Sequence, residues 1–293
     1  MRQKPWLGSL ALILAAVIWG SAFVAQRRGM EFNGPFTFNS VRCCIGAAAL
    51  GLVSLILPRR GDTDRRSTLL CGLYCGLCLF FATNLQQLGL VDTDAGKAGF
   101  ITTFYIVMVP VAGLLLGKRC ARITWLAVVL AFAGLYFLCM SSGSLRFRRG
   151  DLLVFLSALC YTVHILLVDH FVLKADGVLM SCIQFAVCGI LSLIPAFAME
   201  TPRLSDLGSG IVPLLYAGLL SCGVAYTMQI VGQKHLKPAV ASLIMSMESV
   251  FAVLSGWLIL HEKLSGRELL GSGLVFSAVL LVQLWPEKKQ RTA

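Results

Sequence analysis

The chain of 293 residues is 57% hydrophobic and carries charge on only 13% of its positions, against about 25% in ordinary soluble domains. Its net charge of +11 comes from basic residues set beside long uncharged stretches, a pattern that orients membrane segments and gives no nucleic-acid signal. No interval between those stretches could hold a soluble catalytic or DNA-binding domain.

The uncharged runs, in chain order, cover 5–26, 35–57, 68–91, 98–117, 123–145, 152–168, 177–199, 207–233, 238–260 and 269–286. Most reach the roughly 20 apolar residues that an α-helix needs to cross a bilayer. Backbone polar groups in lipid must bond within the segment, so ten runs predict ten helices. The first run has the length of a signal-peptide core, but nine more follow and it reads as a span. Gly72-xxx-Gly76 in the third run and Gly113-xxx-Gly117 in the fourth have the spacing that lets membrane helices approach closely. Cys75 and Cys78 have CxxC spacing but no second pair and no neighbouring His, so no metal and no cofactor is expected. With the N-terminus inside, Arg59, Arg60, Arg65, Arg66, Lys118, Arg119 and Arg122 fall on the inner side, while Arg146, Arg148 and Arg149 do not. The balance predicts a multi-pass protein of the cell (inner) membrane with both termini cytoplasmic.

An offset of about 142 residues brings the two halves into register. Trp19-Gly20-Ser21 meets Tyr161-Thr162-Val163, Leu73 to Leu77 meets Leu215 to Leu219, Gln87 meets Gln229 and, after a short slip, Thr102 meets Ser246. The first copy spans 7–141 and the second 150–286, each with five spans. An odd number of spans reverses the second copy, so the predicted fold is all-α and integral to the membrane: ten transmembrane helices as two inverted five-helix repeats around a central cavity. Inverted repeats of this kind belong to secondary transporters, which bind their solute where the repeats meet.

Three stretches resemble a known family. Ala98 to Pro110 (AGFITTFYIVMVP), His164 to Asp169 (HILLVD) and Met247 to Trp257 (MESVFAVLSGW), the last followed by His261-Glu262-Lys263, are similar to the signatures of EamA-type transporters of the drug/metabolite transporter superfamily. The likeness covers both repeats. It departs from the family pattern where His261 replaces a Gly and where Lys118 replaces a Glu in the first copy. It implies export of a small organic solute such as an amino acid, metabolite or drug, with a cavity lined by the first, third, fourth, sixth, eighth and ninth helices.

Polar groups within spans point to the same helices. Asn84 and Gln87 share a face of the third helix, as Tyr226 and Gln229 do in the eighth. Thr102 and Tyr105 share one in the fourth, matched by Ser246 and Ser249 in the ninth. Trp19, Ala22 and Gln26 form a stripe in the first, with Phe23 beside it, matched by Tyr161, His164 and Val168 in the sixth. The candidate pathway is therefore Trp19, Phe23, Asn84, Gln87, Thr102, Tyr105, Tyr161, His164, Tyr226, Gln229, Ser246 and Ser249. Each of these could equally be interhelical glue, worth about 0.6 kcal/mol per bond. Glu248 lies mid-span, where a carboxylate costs about 3 kcal/mol. By helical rotation it faces about 120° away from the serine stripe. It couples transport to protons, acts as counter-ion to a cationic substrate, or braces helix packing; His164 is the other candidate proton carrier, with a satisfied structural histidine as its alternative. Arg42, close to a span end and matched by neutral Gln184, could snorkel to the interface and reads as structural.

The reading is a secondary transporter working by alternating access, possible proton coupling included, with a small-molecule substrate and the lipid bilayer as its partners. No nucleic-acid partner and no enzymatic activity are expected, and the sequence is compatible with a homodimer. A passive channel, a membrane sensor and, more distantly, a membrane-embedded enzyme are the alternatives. No phosphate-binding Gly-rich loop is present, so ATP is not the direct energy source.

Overall fold

A computed structural model describes residues 4–56, 63–93, 95–118, 120–139, 148–260 and 265–285. His261, Glu262 and Lys263, Arg119, Arg146 and the ends of the two predicted repeats at 141 and 286 lie outside the described residues. Within them the chain is helical, with no strand.

The first half comprises α1 (Pro5–Met30), α2 (Pro35–Ile56), α3 (Arg65–Asp92), α4 (Ala95–Thr102), α5 (Tyr105–Leu115) and α6 (Arg122–Cys139). The second comprises α7 (Arg149–Phe171), α8 (Gly177–Met199), the short α9 (Leu204–Ser209) and α10 (Ile211–Leu215), a π-helical segment Tyr216–Ala225, α11 (Tyr226–His235), α12 (Pro238–Met245), α13 (Met247–Leu260) and α14 (Gly266–Leu284). Among the described residues nine helical stretches are long and apolar enough to cross a membrane, and α6 is a shorter apolar helix. Their outward faces are apolar: Leu55, Leu115, Val129, Phe197 and Leu284 are all exposed. Surfaces of this kind are matched by lipid, not water.

Local chemistry sets the ends. Pro5, Pro35 and Pro238 open their helices at a position whose N–H needs no partner. Asp64 accepts from the Arg66 and Ser67 amides at 3.2 and 2.9 Å to start α3, and Asp176 caps α8 from Val178 and Leu179 at 3.0 Å. Ser265 and Glu268 form a capping box on α14. Glu200 caps α2 across the halves, accepting from the Phe36 and Thr37 amides at 2.9 and 2.8 Å and from the Thr37 hydroxyl at 2.5 Å.

Two predicted spans are broken. The run 98–117 divides at Thr103–Phe104 into α4 and α5, and the run 238–260 divides at Ser246 into α12 and α13. Hydroxyls that bond backward to the chain loosen the helix at both places. Thr103 Oγ1 donates to Gly99 O at 2.8 Å, and Ser246 Oγ to Leu243 O at 2.7 Å. The π-helical turn inside the run 207–233 was not expected from sequence.

The halves interlock, and their main contacts recur when the halves are exchanged. α2 packs on α8 and α6 on α14. α3 against α7 is matched by α1 against the π segment and α11, and α1 against α13 by α4 and α5 against α7. α2 and α8 run antiparallel, as do α6 and α14. In α2 and α8, Ser40 Oγ reaches Gly189 O at 2.8 Å while Cys182 Sγ reaches Ala47 O at 3.3 Å. In α6 and α14, a Cβ on Gly134 would lie 2.8 Å from Val275 N, and one on Gly271 would lie 2.6 Å from Leu138 N. Gly72 and Gly76 give the close approach their spacing suggests, with Cβ positions 2.7 and 2.6 Å from Ile183 Cβ and Val187 Cβ. Gly113 and Gly117 do not. Gly117 instead takes a φ of 73° and ends α5, and the next amide, Lys118 N, bonds back to Gly113 O at 2.8 Å.

Candidate functional site

The interlocked halves enclose a cavity of about 700 Å³, counting the open space at its mouth. Both halves line it: Trp19, Phe23 and Gln26 from α1, Arg42 and Cys43 from α2, Thr83 and Gln86 from α3, Thr102 from α4 and Tyr105 from α5. From the second half come Tyr161, His164 and Ile165 of α7, Phe185 of α8, Ser221 and Cys222 of the π segment, Tyr226 and Gln229 of α11, Met245 of α12 and Glu248 of α13. α6 and α14, which the sequence leaves nearly bare of polar residues, supply none of these groups and pair with each other outside it.

An aromatic corner forms one wall. Trp19 and Phe185 both meet Tyr226 edge-on, at 4.8 and 5.0 Å between ring centres, and His164 meets it at 5.9 Å. Edge-to-face rings fix one another's orientation. The rest of the lining carries polar contacts. Gln86 Nε2 donates to Thr102 Oγ1 at 3.1 Å, its Oε1 accepts from Tyr161 OH at 3.2 Å, and Tyr105 OH donates to Glu248 Oε1 at 3.3 Å. His164 Nε2 is 3.1 Å from Gln184 Oε1.

Of the residues singled out from sequence, Trp19, Phe23, Thr102, Tyr105, Tyr161, His164, Tyr226, Gln229 and Glu248 come together at this cavity. Four do not. Asn84 turns toward α8, donating to Ser192 Oγ at 2.8 Å and to Phe80 O at 2.7 Å. Gln87 is fully buried away from the cavity, and neighbouring Gln86 takes the lining position. Ser246 bonds its own helix at the α12–α13 break, and Ser249 is buried beyond it. Glu248 and the serines do face different ways, as the rotation argument has it, but it is Glu248 and not the serines that lines the cavity.

Arg42 requires the largest correction. It is only 4% exposed and does not reach the interface. Its Nε and Nη2 donate to Asn39 Oδ1 at 3.0 and 2.8 Å, and Asn39 is in turn held through its amide by Thr83, Asn84 and Ser192 at 2.9, 3.1 and 3.2 Å. Position alone misled here. Arg42 lies near the end of a span, but the loop beyond it is covered by Glu200 and the second half. Cys43, Phe185, Ser221 and Cys222 were also missed, since small or apolar residues carry no signal within an apolar run.

Fold and site together define a multi-pass membrane protein whose two halves line one shared chamber. The EamA-like transporter family model matches the chain twice, over residues 6–140 and 148–284, and the chain belongs to that family. It is 31% identical over 282 residues to an uncharacterized transporter of Archaeoglobus fulgidus, covering 96% of this chain and 87% of that protein. It is 25% identical over 281 residues to the uncharacterized inner membrane transporter YedA of Escherichia coli (strain K12), covering 94% and 90%. A protein of known crystal structure superimposes with a TM-score of 0.81 at 16% identity, over 94% of this chain and 96% of that one. The chain is a membrane transporter by family.

Proposed function

We propose that this protein is a secondary transporter that carries a small organic solute across the cytoplasmic membrane by alternating access. In this reading its ten spans form two inverted five-helix copies and both termini lie in the cytoplasm. The observation that carries the proposal is the chamber itself, which belongs to neither half and is walled by equivalent helices of both. Antiparallel packing of α2 on α8 and of α6 on α14 supports the inversion. The matched breaks in the fourth and ninth spans supply the discontinuous helices that line transporter sites. Two copies of one unit facing opposite ways give outward-open and inward-open states of similar energy, which is what exchange across a membrane requires.

Energy coupling is assigned to protons. Glu248 is the buried carboxyl of the cavity lining, held by the Tyr105 hydroxyl, and His164 stands at the same chamber beside Gln184. Either group can exchange a proton with solute entry or exit, so net export is driven by the inward proton gradient.

The test is a thermal-shift screen of the purified protein against a metabolite panel, followed by flux of the hits in proteoliposomes with and without a pH gradient. Saturable flux that a pH gradient accelerates, with counterflow on the opposite side, supports the reading. Unsaturable leak would make the protein a channel. Saturable flux with the same pH response in Glu248→Gln and in His164→Ala would remove both residues from coupling.

A further inference from the structure

We propose that Arg42 is the anion-recognising residue of the chamber, and that the solute is a small organic carboxylate with an apolar or aromatic body. The assignment deepens the transport reading, but the binding half of it stands without transport.

Three observations converge. The first is an unmatched charge. Arg42 lines the cavity while being 4% exposed, and among the described residues no carboxylate lies within ion-pair distance of it. A buried cation without a counter-ion is costly, and a neutral carboxamide compensates for it only in part. The second is geometric. Asn39 Oδ1 takes Nε and Nη2, and the Phe38 ring covers the guanidinium at 5.8 Å, which leaves Nη1 without a protein partner. The head group is thus pre-oriented by a network running through Asn39 to Thr83, Asn84 and Ser192, with one donor edge still open. The third is the comparison between copies. Gln184 holds the position equivalent to Arg42 and is neutral, bonded to His164. The repeated architecture therefore does not require a cation at that place.

The same chamber specifies what kind of anion fits. Arg42 is the sole Lys or Arg among the lining residues, and Glu248 is on the lining too. One guanidinium opposed by one carboxyl suits a monoanion and disfavours a phosphate dianion, which is ordinarily held by several cations or amides. Trp19, Phe23, Tyr161, Phe185 and Tyr226 then offer stacking surface for the body of the solute.

The experiment measures binding of three probes to the purified full-length protein in nanodiscs: 3-phenylpropionate, its neutral amide, and 2-phenylethylphosphonate at a pH where it is a dianion. The carboxylate should bind at least about tenfold more tightly than the amide, as expected for a charge-assisted hydrogen bond. In Arg42→Gln that ratio should collapse to within about twofold, with amide affinity unchanged, while Arg42→Lys should keep a reduced preference. The wild-type probe series needs no variant, so a misfolded Arg42→Gln does not spoil the test. Equal binding of amide and carboxylate, a preference that survives Arg42→Gln, tighter binding of the phosphonate, or no binding of any probe would each overturn the assignment. Flux of the same probes separates the two readings. A carboxylate that binds through Arg42 but is never carried defeats transport and keeps the site. A neutral or cationic solute carried equally well by Arg42→Gln defeats the site and keeps transport.

Discussion

Replacing Gly20 by Ala should disturb the chamber although Gly20 itself does not line it. Gly20 is where α1 crosses α13. A Cβ there would lie 2.6 Å from Phe251 Cβ, 2.7 Å from Ala252 N and 2.7 Å from Glu248 O. Two of those three atoms are backbone and cannot rotate aside. Ordinary contact begins near 3.4 Å, so the helices must part by roughly 0.7 Å. Overpacking of that kind costs about 1–3 kcal/mol. The Tyr105–Glu248 hydrogen bond, already 3.3 Å long, has little length to spare before it is lost. The variant should melt several degrees below the wild type in detergent, followed by intrinsic tryptophan fluorescence, and bind solute more weakly. Gly273→Ala supplies the opposite sign. Gly273 lies within α14 with nothing inside 4 Å of its Cβ position, so alanine there should stabilise by about 0.5–1 kcal/mol. Gly20→Ala melting at or above the wild type would refute the close-packing argument and, with it, the position of α13.

Glu200→Ala leaves two α2 amides and the Thr37 hydroxyl without their acceptor and should cost about 1–3 kcal/mol in thermal stability, with Glu200→Gln milder. Asp64, outside the spans, has its carboxyl held below the usual carboxylate range by the Ser67 hydroxyl and then the Ser67 amide. A depressed folded-state pKa gives stability that is present above the unfolded value and fades as pH falls through the folded one. Asp64→Ala should therefore melt slightly below the wild type at neutral pH, and the gap should close on acidification below that range. Lys118 and Asp169 form an ion pair at 2.6 Å that joins the end of α5 to α7. Lys118→Asp and Asp169→Lys should each lower flux, with Asp169→Lys the more destabilising because Asp169 is buried, and the double exchange should recover part of the flux; no recovery would remove the pair from the transport cycle.

Much of this architecture was legible because membrane physics writes it in long apolar runs. The run boundaries fall near Pro5, Pro35, Asp64, Asp176 and Pro238, where capping chemistry begins the helices. The breaks at Thr103 and Ser246 were not legible, since a hydroxyl within an apolar run serves equally as interhelical glue or as a competitor for its own backbone. That ambiguity propagated into the site. The serine face of the ninth span was chosen for the lining where Glu248 takes it, and the Asn84–Gln87 face was chosen without knowing that Asn84 turns to Ser192. Arg42 was misjudged for a different reason. Distance along a span measures depth only when the end of that span is bare.

The two copies divide the labour at the chamber in a way that bears on mechanism. Equivalent positions supply much of its apolar wall: Trp19 and Tyr161, Phe23 and Ile165, and Cys43 and Phe185 all line the cavity. The charges come from one copy each. Arg42 stands opposite neutral Gln184, and Glu248 corresponds to Phe104. Matched walls let the halves exchange roles at little energetic difference, whereas an unmatched charge must keep its partners in both states. Arg42 meets that demand by drawing its hydrogen bonds from within α2 and through it to α3 and α8, a group whose members can move as one body. Glu248 draws its bond from Tyr105 across the α5–α13 contact, between the two broken helices. If α2, α3 and α8 move together against the broken helices, the Arg42 network should survive the change and the Tyr105–Glu248 bond should not. Tyr105→Phe should therefore alter the rate and pH response of exchange while leaving the preference for a carboxylate over its amide intact.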